Sequence, residues 1–303
     1  MPGPDFTALL GADPGGVRAA VAELPLSDPD AGAFSGRTLV MSGGSRGIGL
    51  AIAVAAARLG ANIALTAKTD VPDPRLPGTI HTAAEAIRAA GGNVLPLVGD
   101  IRNEKDVDSL VAAAVAEFGG IDFVVNNASA IDLSGTTEVP LKRLDLMLDI
   151  NVRGTLLLTR AALPYLRRSD HAHVLTLAPP INLDPRWLGA HPPYTISKYA
   201  MSLAALAVAA ENAEANVASN CLWPETTIAT AAVANTSSLG GGEVVTHSRD
   251  PEIMADAAMV ILAADPATVT GHPFIDADVL RTAGTSDLSG YGGNPPLAVD
   301  LFL

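Results

Sequence analysis

The chain has 303 residues, 49% hydrophobic and 17% charged, with 32 acidic against 19 basic side chains and a formal net charge of −13. A composition this apolar excludes global disorder. A surface this acidic argues against nucleic acid and anionic lipid as general partners, since both require basic faces.

Residues 1–35 carry Pro2, Pro4, Pro14, Pro25 and Pro29 in turn contexts around one short helical stretch, Val17 to Leu24. They read as an extension lying on, or hanging from, a main domain over residues 36–303. The extension has neither a basic start nor a continuous apolar stretch, so no secretory signal is expected. From Arg37 the pattern changes. An apolar run, Thr38 to Met41, leads into Ser-Gly-Gly-Ser-Arg-Gly-Ile-Gly and an alanine-rich helix over Leu50 to Leu59 that Gly60 stops. Strands follow at Asn62–Thr66, Val94–Val98, Ile121–Val125, His173–Leu177, Asn216–Leu222 and Val269–Ile275. Helices alternate with them at Thr79–Ala90, Glu104–Phe118, Leu141–Leu158 and Tyr194–Glu211. Strands separated by helices of this length predict βαβ crossovers: an α/β, Rossmann-type, doubly wound parallel sheet in a single domain. Aromatic residues make up only 4%, so small and branched aliphatic side chains must fill the core.

No run approaches the ~18 apolar residues a membrane span needs. Cys221 is the only cysteine, which rules out an intrachain disulfide and reads as a small buried hydrophobe. A cytoplasmic protein without a membrane partner is expected. His81, His171, His173, His191, His247 and His272 show no metal-ligand spacing, and His171 and His173 read as exposed at a strand start.

Three features carry chemistry. Gly43, Gly44, Ser45, Arg46, Gly47, Ile48 and Gly49 stand between the first strand and first helix, where glycines let the backbone approach a pyrophosphate on the positive helix end. The second strand ends in Thr66-Ala67-Lys68-Thr69-Asp70. An acid there selects the ribose 2′-hydroxyl of NAD and a cation the 2′-phosphate of NADP; Lys68 and Arg46 favour NADP over NAD. Asp70 would pair with Lys68 or contact a ribose. Asp100-Ile101 and Asn126-Asn127-Ala128 fall at the ends of the third and fourth strands, the rim where such sheets bind ligands. Lastly, Tyr194 and Lys198 lie one helical turn apart on one face. A nearby ammonium favours phenolate and draws a phenol with a pKa near ~10 toward the working range of an acid/base catalyst.

Together these residues resemble the short-chain dehydrogenase/reductase family over residues 36–275, with closer similarity to its hydroxysteroid dehydrogenase-like 2 group. The glycine loop matches TGxxxGxG with Ser42 for threonine. Asn126-Asn127-Ala128-Ser129 matches NNAG with its glycine replaced, and Tyr194 and Lys198 match YxxxK. The group resemblance rests on longer strings, among them Ala67-Lys68-Thr69, Lys142 to Met147, Pro179 to Pro185 and Leu222-Trp223-Pro224. The resemblance implies that Tyr194 is the acid/base, that Lys198 lowers its pKa and holds the nicotinamide ribose, and that Asn151 completes a proton path. It implies that Gly43–Gly49, Lys68 and Asp100 contact NADP. It also implies a homodimer or homotetramer.

Two departures stand out. The family's catalytic serine falls on Ala178 or Pro179, neither of which has a hydroxyl, leaving Thr176, Thr195 and Ser197 as substitutes. The family's Pro-Gly after the sixth strand is Pro224-Glu225 here, so the nicotinamide contact passes to Thr226, Thr227 or a nearby backbone group. The expected function is interconversion of an alcohol and a carbonyl on a small apolar substrate, under a lid after Trp223 with Gly240-Gly241-Gly242 in its middle. The missing serine motivates two alternatives: a cofactor-binding sensor or scaffold with little catalysis, or an enoyl reductase.

Overall fold

The computed structural model of the protein describes residues 21–73, 77–236 and 241–303. Seven parallel strands form one sheet in the order β3-β2-β1-β4-β5-β6-β7. They are β1 (Thr38–Ser42), β2 (Asn62–Ala67), β3 (Val94–Val98), β4 (Phe123–Asn126), β5 (Ala172–Thr176), β6 (Val217–Trp223) and β7 (Pro273–Ile275). The connecting helices are α1 (Gly47–Arg58), α2 (Ile80–Ala89), α3 (Glu104–Phe118), α4 (Leu141–Met147), α5 (Thr155–Leu166), α6 (Pro185–Ala190), α7 (Pro192–Glu211), α8 (Glu252–Ala263) and α9 (Asp276–Thr282). A π-helical turn, Leu148–Gly154, joins α4 to α5. Strand order reverses between β1 and β4, the topological switch point at which open α/β sheets bind ligands.

Successive side chains of a strand face opposite sides of a sheet. Leu39 and Met41 of β1 enter a core shared with Ile63, Leu65, Ile52 and Ile253, while Val40 joins Ala64, Val124, Leu110 and Val174 on the other side. Because helices cover both faces, the strands read as unbroken apolar runs. Besides Ile52, α1 buries the small side chains of Ala53, Ala56 and Ala57 and no aromatic ring, in line with the low aromatic content. Residues 21–35 lie on the domain: Phe34 is 1% exposed and its ring sits 4.9 Å from that of Phe123. Of the helix expected at Val17–Leu24, only Val21 onward falls within the described residues.

Three expectations change. The helix expected over Leu141–Leu158 runs on to Leu166 with the π turn inside it. The last strand shrinks to Pro273–Ile275, because Gly271 adopts φ +79° and turns the chain just before it. His173 is buried, not exposed. Its Nε2 lies 2.9 Å from the Ala264 carbonyl oxygen, and burial pushes its imidazole pKa down to about 3, keeping the ring neutral.

Candidate active site

A cavity of about 840 Å³ opens at the switch point, bordered by Gly43, Arg46, Ile48, Lys68, Asn127, Tyr194, Lys198, Trp223 and Asp300. Its glycine-loop end is shaped by close backbone approach. Gly43 and Gly47 have φ of +74° and +54°, values that L side chains rarely adopt. A Cβ on Gly43 would meet Asn127 Nδ2 at 2.8 Å, and one on Gly49 would meet the same atom at 2.5 Å. Asn127 earns that proximity by donating to the carbonyls of Ser42 at 3.2 Å and Gly43 at 2.8 Å, while Ala128 N donates to Ser42 Oγ. The end of β4 is thus laced to the end of β1. No acidic residue occupies the first turn of α1, and no side chain caps its first N–H groups, so its positive end suits an anion.

Beyond the loop, Arg46 Nη2 donates to Thr69 Oγ1 and the Gly78 carbonyl, both at 2.8 Å. Its buried Nε has no partner among the described residues. An orphaned guanidinium N–H of a residue on the cavity wall fits a ligand oxygen that would accept it. Lys68 pairs with Asp100 at 3.2 Å, and the Arg102 guanidinium on Asp100 holds that carboxyl well below the usual carboxylate range. Asp70 pairs with His81 at 2.6 Å, not with Lys68 as one reading of the sequence had it. Ile101 lines the cavity; Asp100 sits behind Lys68, outside the lining.

At the other end, α7 presents Tyr194, 5% exposed, and Lys198, 2% exposed. Lys198 Nζ donates to the Leu177 carbonyl at 2.5 Å and lies 5.0 Å from the Trp223 ring centroid. Burial brings its ammonium pKa down to about 7. Burial also raises the Tyr194 phenol well above its ordinary value, with the Asp300 charge raising it further. The net direction of the Tyr194 shift is thus upward, set by desolvation, which penalises the phenolate; Lys198 is not among its causes.

Asn151, projected inward by the π turn, is fully buried and does not reach the cavity. Its Oδ1 accepts from Ala130 N at 2.7 Å, and its Nδ2 donates to the Ala130 carbonyl and to Ser197 Oγ, each at 3.0 Å. Ser197 Oγ donates to the Tyr194 carbonyl at 2.8 Å. Asn151 therefore ties the loop after β4 to the helix that carries the tyrosine.

None of the substitute hydroxyls borders the cavity. Thr176 accepts from Asn126 Nδ2 at 3.3 Å, and Thr195 donates to the Trp187 carbonyl at 3.1 Å. Thr227 is likewise turned away, its hydroxyl 2.7 Å from Ser248 Oγ and its amide donating to Ala298 O. Ile228, Ala229 and Thr230 take its expected place on the wall. Gly240, the first glycine of the expected lid, lies outside the described residues.

Sequence reasoning missed residues 298–303. Ala298 accepts from Thr227 N, Val299 bridges Thr226, and Asp300 N donates to Glu225 O. Phe302 sits among the rings of Trp187, Tyr194, Tyr199 and Trp223. The available signal was a lone acid in an apolar run, Val299-Asp300-Leu301-Phe302-Leu303.

The short chain dehydrogenase family matches residues 37–239, and the chain belongs to that family of NAD(P)-dependent oxidoreductases. More particularly, it is 49% identical over 277 residues to hydroxysteroid dehydrogenase-like protein 2 of Xenopus tropicalis, covering 91% of this chain and 65% of that protein. It is 46% identical, with the same coverage, to the human protein of that name. The chain thus spans 65% of the length of these curated relatives. Among solved structures, a short chain dehydrogenase of Mycobacterium thermoresistibile is 52% identical with a TM-score of 0.83, covering 89% of this chain and 95% of that one. A candidate dehydrogenase of Xanthomonas campestris is 52% identical with a TM-score of 0.85, covering 89% and 98%.

Proposed function

We propose that the chain is an NADP(H)-dependent enzyme that interconverts a carbonyl and an alcohol on a small apolar substrate. The observation that carries this reading is the meeting of Tyr194 and Lys198 with the glycine loop on one cavity. The nicotinamide would supply or take the hydride. Gly43–Gly49 and Asn127 would hold the dinucleotide, and Lys68 with the Arg46 Nε, which has no partner among the described residues, would hold its 2′-phosphate. Tyr194, kept neutral by burial, would give its proton to the substrate oxygen as that oxygen gains negative charge. An alkoxide is a stronger base than phenolate, so that proton transfer is downhill. Lys198 would keep positive charge beside that oxygen and the ribose. The relatives' name is in keeping with an apolar alcohol or ketone.

Titration with NADPH and NADH, followed by a carbonyl screen on the tighter binder, tests the reading. NADPH binds more tightly, and Tyr194→Phe abolishes turnover while leaving NADPH affinity within about twofold. Persistent turnover in that variant refutes the assignment.

The absence of a hydroxyl at Ala178 and Pro179 favours a second reading, a cofactor-binding sensor or scaffold. It predicts NADPH binding with no turnover on any carbonyl. A cytoplasmic location and assembly with a second copy through α5 and α7 complete the proposal. In support of the first, no helix among the described residues is long and apolar enough to cross a membrane. In support of the second, Leu156, Ile196 and Leu203 are exposed on those helices.

A further inference from the structure

Residues 298–303 form a strap fixed at both ends of the substrate side of the cavity. Trp223 Nε1 donates to the Leu301 carbonyl at 2.9 Å, and Asn182 Nδ2 donates to the Phe302 carbonyl at 3.0 Å. The Phe302 ring stacks on Tyr194 with 6.3 Å between centroids. Asp300, held by Glu225 O through its amide and by Leu301 N at 2.6 Å through Oδ1, borders the same space as Tyr194 and Lys198. Among the described residues no cation lies within salt-bridge distance of it. The residue is half-buried, yet protein surrounds the carboxyl closely enough to desolvate it.

We propose that Asp300 is the second hydrogen-bond donor to the substrate oxygen, beside Tyr194, in the part for which Ala178 and Pro179 have no hydroxyl. The inference rests on the carbonyl–alcohol reading above. The charged and titratable groups around Asp300 are Tyr194 and Lys198 of α7, Asp276 at the start of α9, and Glu225 after β6. Burial, then the Asp276 charge, pushes the Asp300 carboxyl up to about 7 against the opposing pull of Leu301 N and Lys198. A carboxylic acid kept neutral in an apolar site is a strong donor to a developing oxyanion. In reduction the carbonyl carbon gains the hydride and its oxygen takes the Tyr194 proton. Asp300 keeps its own proton throughout and shares it only as a hydrogen bond. A bound dinucleotide adds negative charge, which favours the neutral acid further.

The test uses the whole chain with NADPH and a panel of aromatic and aliphatic ketones, following NADPH consumption. Asp300→Ala lowers kcat by about 10²–10³-fold, the loss typical of one oxyanion donor, with NADPH affinity unchanged. Asp300→Asn, whose amide still donates and whose oxygen can still accept from Leu301 N, stays within about tenfold of wild type. In the wild type kcat falls as pH rises through about 7, where the donor is lost. Lys198 loses charge in the same range, so the informative quantity is the part of that fall that Asp300→Asn abolishes. An alanine variant within threefold of wild type overturns the inference, as does an asparagine variant as slow as alanine with NADPH binding intact. A wild-type protein that binds NADPH and reduces no carbonyl overturns the reaction class and this inference together.

Discussion

Burial acts on four ionisable side chains near the site and favours the neutral form of each: the phenol of Tyr194, the ammonium of Lys198 and the carboxyls of Asp276 and Asp300. Asp276 makes the clearest test of that effect, because it borders the machinery without belonging to it. Its Oδ1 accepts from Glu225 N at 2.8 Å and Ala277 N at 2.6 Å, and its buried Oδ2 has no partner among the described residues. Burial pushes its pKa up to about 7. Between the unfolded value near ~3.9 and that folded value, the native state holds the extra proton, so stability falls as pH rises through this window and levels off above it. Asp276→Asn keeps a neutral acceptor for both amides. Its melting temperature relative to wild type rises from pH 4 to pH 7, by an amount converting to at most about 4 kcal/mol. A difference that is flat with pH contradicts the buried-acid account. His173 acts in the opposite sense, withholding a proton that the unfolded chain accepts below its ordinary pKa, which is why the comparison is made between variant and wild type.

The glycine loop shows how little tolerance a strand-to-helix turn has when a second strand end is sewn to it. Gly49→Ala puts a methyl 2.5 Å from Asn127 Nδ2 and 2.6 Å from the Gly43 carbonyl oxygen, and the latter is backbone that cannot rotate away. The expected outcome is a loss of about 1–3 kcal/mol of stability and NADPH binding weakened at least tenfold, read by thermal melting and fluorescence titration. This loop was legible in the sequence because its chemistry is local: Thr38–Met41, the glycines and the alanine helix are contiguous. The strands were legible for a related reason, since Val40 and its neighbours are buried from both sides and leave unbroken apolar runs. Tyr194 and Lys198 share a face at a spacing that the helix itself fixes. The sequence did not reveal the π turn at Leu148–Gly154, because the extra residue it inserts serves the distant partners Ala130 and Ser197 of Asn151 and leaves no periodic mark. Nor did it reveal the sign of the Tyr194 shift: that sign is set by desolvation, which depends on everything packed around the ring.

At the scale of the molecule, Ile196 and Leu203, 62% and 52% exposed, stand seven residues apart on α7 and so share one helix face, with Leu156 of α5 exposed at 47%. A second copy covering this face would account for it. Leu203→Glu, a change at an exposed position that spares the fold, then shifts the assembly toward monomer in light scattering; an unchanged mass rejects this face as the contact. The strap of residues 298–303 was invisible to sequence reasoning because its meaning lies in contacts with Trp223, Asn182 and Tyr194, far away along the chain. That arrangement has a thermodynamic corollary. The walls of the cavity come from Gly43 near one end of the described chain and Leu301 near the other, so a partly folded molecule has no half-built pocket to offer. Ligand occupancy and completion of the described fold become a single equilibrium: whatever binds there draws the population toward the fully assembled state, and loosened packing at Gly43 or at Leu301 loosens its hold.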